Sequence, residues 1–133
     1  MYGGKDYIYV KFDELYTDPD LYFFVLYDKY TNNKVVATQL SSIIDDNTTI
    51  WGEGLRVHPK WRRNGLATMI TLHAIDFILN DNHLKSKHKN KIDKVRIATT
   101  TSIATDGSIQ LHVNKLGFNI VEQWQWKIIQ FCN

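Results

Sequence analysis

Leu55-Arg56-Val57-His58-Pro59-Lys60-Trp61-Arg62-Arg63-Asn64-Gly65-Leu66-Ala67 runs from the end of a strand, through a tight basic turn, into a helix. Leu55 and Val57 are apolar residues two apart, as on one strand face. Pro59 cannot donate to a ladder and biases His58 away from helix, so the strand should stop there. Gly65 carries no Cβ, so its backbone can approach a ligand closely. From Leu66 the apolar period changes from two to the helical repeat. The first N–H groups of that helix point back at a loop holding Lys60, Arg62 and Arg63. Free amides, the positive end of the helix dipole and cationic side chains then converge on one spot, which is the chemistry of a phosphate site. The plain alternative is an ordinary strand-to-helix turn with a few surface cations.

The remaining chain reads outward from this stretch. Leu21 to Tyr27 is an aromatic, apolar run with the look of a buried strand. Thr31-Asn32-Asn33 has hairpin-turn composition, and Lys34 to Ile44 is the partner strand. Asp45-Asp46-Asn47 makes the next turn, and Thr48 to Val57 is the third strand of an antiparallel meander. Leu66, Ile70, Ala74, Phe77 and Ile78 form one stripe, predicting a helix over 66–79. Val95 to Thr100 is a short strand after a helix, hence expected to run parallel to the strand before that helix. Asp106-Gly107-Ser108 looks like a helix entry, with Asp106 or Ser108 as cap, and Ile109, Val113 and Leu116 follow at helical spacing. Gly117 is placed to close that helix in a left-handed conformation. Phe118 to Phe131 is strand-like. Residues 1–19 do not resolve into a helix or a strand.

Composition narrows the class. The 133 residues suffice for one domain with a real core, and 44% hydrophobic with 23% charged residues is ordinary for a mixed α/β chain. A net charge of +2 is too small to point to nucleic acid. Five lysines between Lys85 and Lys94 read as a solvated loop rather than an acidic-partner site. No apolar run is long enough for a membrane span, and the N-terminal residues lack the apolar core of a signal peptide. The single Cys132 excludes an intrachain disulfide and suits a reducing compartment, so a cytoplasmic location is expected. The five histidines are scattered without paired-ligand spacing, and no metal site is expected.

Val57, Pro59, Arg62, Gly65 and Ala67 together follow a Val-x-Pro-x-x-Arg-x-x-Gly-x-Ala pattern that resembles the acetyl-coenzyme A motif of the Gcn5-related N-acetyltransferase (GNAT) superfamily. His112-Val113-Asn114-Lys115-Leu116-Gly117-Phe118 resembles its late motif, commonly written Leu-Tyr-Glu-Lys-Leu-Gly-Phe. The resemblance spans residues 20–131. A narrower likeness, in Asp6-Tyr7 and Glu53-Gly54-Leu55-Arg56-Val57, is to the histidine N-acetyltransferase group, although the first strand and helix of those relatives have no counterpart here. The fold implied is α/β (α+β): a mixed sheet of an antiparallel meander plus parallel, splayed strands, two main helices and a reduced N-terminal lobe, in a single N-acetyltransferase domain over 1–133.

The resemblance implies acetyl transfer from acetyl-coenzyme A to a primary amine of a small molecule or amino acid. A protein N-acetyltransferase and a non-catalytic acetyl-coenzyme A-binding module are the alternatives. Arg62 and Arg63 would meet the pyrophosphate, wrapped by the amides of Asn64, Gly65, Leu66, Ala67 and Thr68. The peptide-like pantetheine arm would lie along the strand edge at Leu55, Arg56 and Val57, as an added strand does. A strand amide near Leu55 would polarise the thioester carbonyl. An ammonium acceptor must lose a proton before attack, and Glu53 is the candidate base, read as sharing a face with Leu55 and Val57. A structural glutamate bonded to backbone is the alternative. Val113 stands where the superfamily has a tyrosine that protonates the leaving thiolate. His112, Tyr7, Tyr9 or water is left for that role, although His112 reads first as a helix-surface residue, and His58 likewise as a surface group. Trp51, on the strand face of Glu53, is the aromatic assigned to an acceptor pocket. A monomer or homodimer fits the sequence, with the strand holding Trp124 and Trp126 as an edge for pairing.

Overall fold

The computed structural model describes residues 13, 17–80, 92–97 and 107–120. The antiparallel meander predicted from the sequence is present: β1 (Leu21–Asp28), β2 (Lys34–Ile44) and β3 (Thr49–Val57). Its two turns are made by residues that tolerate left-handed backbone. Asn32 and Asn33 sit at φ 54° and 55°, and Asp45, Asp46 and Asn47 at 53°, 52° and 68°. Asp28 locks the first turn, its carboxylate accepting from the Tyr30 N–H at 3.0 Å and the Thr31 hydroxyl at 2.7 Å. Asp45 does the same for the second. It accepts from the Thr49 hydroxyl at 3.0 Å and meets the Arg96 guanidinium at 3.4 Å.

β3 is followed by helix α1 (Leu66–Asn80), and the chain returns as β4 (Lys94–Ile97), parallel to β3. The sheet order is β1-β2-β3-β4, and the described β3–β4 ladder pairs Thr49 through Gly52 with Lys94 through Ile97. α1 covers one face of this sheet. Ile43, Ile50 and Ile78 form the buried cluster there, with Tyr22, Phe24, Ile75, Ile92 and Val95 packed around it. Burying aliphatic side chains of this size stabilises by about 1.5–3 kcal/mol each.

The helical stripe differs from expectation in one respect. Ile70, Thr71, Ala74 and Ile78 are the buried residues of α1, while Phe77 is 40% exposed. Phe77 sits at the margin of the helix, edge-on to Phe24 with ring centroids 5.7 Å apart. Thr71 takes an interior place because it has a partner: its hydroxyl donates to Gln39 Oε1 at 2.8 Å, between two side chains that are 0% and 2% exposed.

The chain separates into two compact units, Met1–Thr100 and Thr101–Asn133. In the second, a single helical turn, α2 (Gly107–Ile109), widens into a π-helical segment, Gln110–Lys115. Leu116 N–H accordingly bonds back to Leu111 O at 2.9 Å, and Gly117 ends the segment at φ +75°, as expected. Ser108 lies inside the first turn rather than capping it. His112 is buried, not on the helix surface. Its Nδ1 is 3.0 Å from Ser108 O, and Phe118, folded back after Gly117, meets its ring edge-on. Phe118 to Ile120 is not in a strand, and the rest of the strand-like run, with Trp124 and Trp126, lies outside the described residues. So do Asp6, Tyr7, Tyr9, the lysines at 85–91 and Asp106. No described helix is long and apolar enough to cross a membrane.

The Gln39–Thr71 bond makes a testable asymmetry. Thr71→Val should cost about 1–3 kcal/mol in urea unfolding, because it strands a buried amide oxygen. Adding Gln39→Leu should recover most of that loss, since removing both partners leaves an apolar contact.

Candidate active site

The register of β2 against β3 contains one extra residue. Thr38 pairs with Arg56 and Leu40 with Glu53, so Gly54 and Leu55 together oppose Gln39. Gly54 is left-handed, at φ 63°, which identifies the irregularity as a β-bulge built on a glycine. This corrects the expected side-chain arrangement. Glu53 faces with Leu40, whereas Val57 faces with Ala37, three residues along a regular stretch of β2. Glu53 and Val57 are therefore on opposite faces, and Arg56 joins Glu53 instead. Trp51, paired with Ser42, does share the Glu53 face, as read from the sequence. A glycine inside a strand pattern is the available signal for such a bulge, and Gly54 carried it.

Arg56 braces the bulge. Its Nη1 donates to Gly54 O at 2.8 Å. Glu53, Leu55, Arg56 and Val57 are all half-buried, and this part of β3 continues past the described end of its ladder with β4.

Beyond Val57 the strand stops where Pro59 predicts. Pro59–Trp61 is a 3₁₀ turn, capped by His58, whose Nδ1 accepts from Lys60 N–H at 3.3 Å. His58 is thus a half-buried capping group. Arg62 turns inward, Nε donating to Val57 O at 3.2 Å, and so ties the loop to the strand end. Asn64 Nδ2 donates to Trp61 O and Arg62 O at 3.2 and 3.3 Å. Lys60, Arg62, Arg63 and Asn64 are exposed. Arg63 holds φ 66°, a left-handed conformation that costs a non-glycine residue about 1–2 kcal/mol. Strain of this kind gathers at functional loops.

Gly65 is at φ +75°, and a Cβ built there would meet nothing within 4 Å. In this structure the glycine is needed for its backbone conformation rather than for clearance. It also precedes α1 directly, with Met69 N–H bonding to its carbonyl at 3.0 Å. A glycine in that place brings no side-chain oxygen to the N–H groups of Leu66, Ala67 and Thr68, which have no intrahelical acceptor. The first turn holds no acidic residue. A helix start of this kind attracts an anion, and the residues here have the donors and charge that suit the diphosphate of coenzyme A.

The model of the acetyltransferase (GNAT) family matches residues 2–118. The chain belongs to this family. Solved structures of similar fold include a transcriptional regulator from Bacillus halodurans, at 16% identity and a TM-score of 0.65, covering 93% of this chain and 77% of that one. An aminoglycoside N-acetyltransferase in complex with CoA is 15% identical at TM-score 0.63, with 92% and 86% covered. Glucosamine-6-phosphate N-acetyltransferase from Arabidopsis thaliana is 18% identical at TM-score 0.59, with 91% and 76% covered. No curated protein sequence matches. As a GNAT acetyltransferase, the protein has its loop-to-helix junction and bulged strand in the element order that the sequence motifs implied.

Gly65→Ala tests the helix start. With open space around the Cβ, its cost should be conformational, about 1–2 kcal/mol in urea unfolding. Calorimetric binding of coenzyme A should weaken by tenfold or more, as the amides of Leu66 to Thr68 are displaced.

Proposed function

We propose that the protein transfers the acetyl group of acetyl-coenzyme A to the primary amine of a small molecule. The observation that carries this reading is the bulge at Gly54, set upstream of a glycine-led, acid-free helix start on the same strand-loop-helix run. Family membership supports acyl transfer, and the anion-ready junction supports coenzyme A as carrier.

In this mechanism the amides of Asn64 to Thr68 hold the diphosphate, with Arg63 and Lys60 adding charge. Arg62, bound to Val57 O, chiefly holds the loop in position. The backbone of Leu55 to Val57 bonds the pantetheine arm in the manner of an added strand. The bulge turns a backbone amide near Leu55 out of the regular ladder, where it stabilises the oxyanion formed on the thioester carbonyl. Glu53 accepts a proton from the acceptor ammonium, directly or through water. The freed nitrogen lone pair then forms the C–N bond, and the nitrogen loses its second proton to solvent as the tetrahedral intermediate collapses to the amide. The C–S bond breaks, its electrons leave on sulfur, and the thiolate takes a proton from solvent. Val113 has no proton to give, and a coenzyme A thiolate leaves without one.

Glu53→Gln should lower kcat for thiol release by about 10²–10⁴-fold across a panel of amines. Its affinity for acetyl-coenzyme A should change less than about twofold. Unaltered turnover in Glu53→Gln removes Glu53 from the role of base. Tight acetyl-coenzyme A binding by wild type with no turnover on any amine favours a non-catalytic binding module instead.

A further inference from the structure

The β1–β2 hairpin reaches past the end of β3. Val57 pairs with Ala37, whereas the β1–β2 ladder continues through Tyr27 with Val35 to Asp28 with Lys34 before it turns. The three β2 residues beyond Ala37 span roughly 10 Å of strand, with the turn in addition. Antiparallel order puts this prong at the end of the sheet where the chain leaves β3. His58 N–H donates to Val36 O at 2.8 Å, so the junction starts at the base of the prong.

Cations gather at this end. Lys29 and Lys34 of the prong are exposed, as are Lys60, Arg62 and Arg63 of the junction. Asp28 is the one acid within 28–34 and 58–65. Five cations against one acid give these two segments a net charge of +4, while the whole chain carries +2, so the remaining residues are net negative. Asp28 turns its carboxylate oxygens to the Tyr30 N–H and the Thr31 hydroxyl. The Lys29 ammonium lies instead over the Tyr30 ring, 4.8 Å from its centroid, which anchors one positive charge at the tip.

We infer that the prong is an electrostatic capture surface for the carrier: Lys29 and Lys34 draw in and orient the phosphates of coenzyme A before the junction binds them. The inference rests on coenzyme A being the carrier, as proposed above. β2 and β1 lie one and two strand spacings from β3, about 5 and 10 Å. Across 10 Å a lysine makes no hydrogen bond to a phosphate, yet its charge still acts, because the Debye length is about 30 Å at about 10 mM salt. Coenzyme A suits such a field. Its diphosphate and its phosphate monoester bring several negative charges on one molecule, and each distant lysine acts on all of them. Charge collected at the mouth of a site raises the rate of productive encounter, and the gain falls steeply with ionic strength. At contact the helix amides, Lys60 and Arg63 meet the diphosphate. The prong therefore belongs to the association step.

Stopped-flow fluorescence with an etheno derivative of coenzyme A tests this on the full chain, from about 10 mM to about 0.5 M salt. At low salt the double variant Lys29→Gln/Lys34→Gln should associate about three- to tenfold more slowly, with its dissociation rate within about twofold of wild type. The difference should close at high salt. Lys29→Arg/Lys34→Arg, which keeps both charges, should associate at the wild-type rate. The derivative lacking the phosphate monoester should respond less to the glutamine pair. An association rate that the glutamine pair leaves unchanged at low salt overturns the inference. So does a loss confined to the dissociation rate, because the lysines would then be contacts of the bound complex. In both cases coenzyme A still binds, and the reading of the carrier stands. A wild type that binds no coenzyme A at any salt overturns that reading and this inference with it.

Discussion

β3 and β4 are parallel neighbours, and this constrains everything around them. Parallel strands cannot be joined by a hairpin, so the chain must leave the sheet after Val57 and cross over it. A crossover helix has to begin near the end of the strand it follows. Its N-terminus, the pole with unsatisfied amides and partial positive charge, is thereby brought to the carboxyl end of β3. The junction at 58–65 then needs only small adjustments to become an anion site. A proline stops the strand, left-handed Arg63 sharpens the turn, and a left-handed glycine, with no side chain to cap with, starts the helix.

The same strand has a second irregularity a short way upstream, and the two divide the labour. The junction gathers free helix amides and exposed cations at one spot. The bulge changes which side chains face which side. Because the pleat has a period of two, one inserted residue exchanges the faces of everything on one side of it relative to the other. Glu53 is separated from Val57 and grouped with Arg56 in this way, with no change in the residues themselves.

Most of the architecture was legible because it depends on local signals. The two hairpin turns are runs of Asn and Asp, the strands are aromatic and β-branched runs, and α1 shows its stripe. The strand-to-helix junction was legible because it is built from backbone, and Pro59 and Gly65 announce backbone behaviour. The faces of β3 were not, since alternation counted from Glu53 assumes an unbroken pleat, and Gly54 was the only residue to say otherwise. The stripe gives no sign of Thr71 for a related reason. A polar residue in a helix stripe reads as exposed until its partner, Gln39 on another strand, is known. The burial of His112 is not legible from an α-helical repeat, because the segment that carries it is a π-helix.

Gln39 stands opposite the bulge on one strand and holds Thr71 of α1 at its side-chain end. A helix resting on aliphatic side chains alone could slide by a turn, about 5.4 Å, and still bury a comparable surface. Sliding here would bring Ala67 or Ile75 against the Gln39 amide, and neither can donate to it. The bond thus works as a vernier between α1 and the bulged strand pair. It sets the interval from the helix start to the bulge, a distance that aliphatic packing alone would leave free to change by a whole turn.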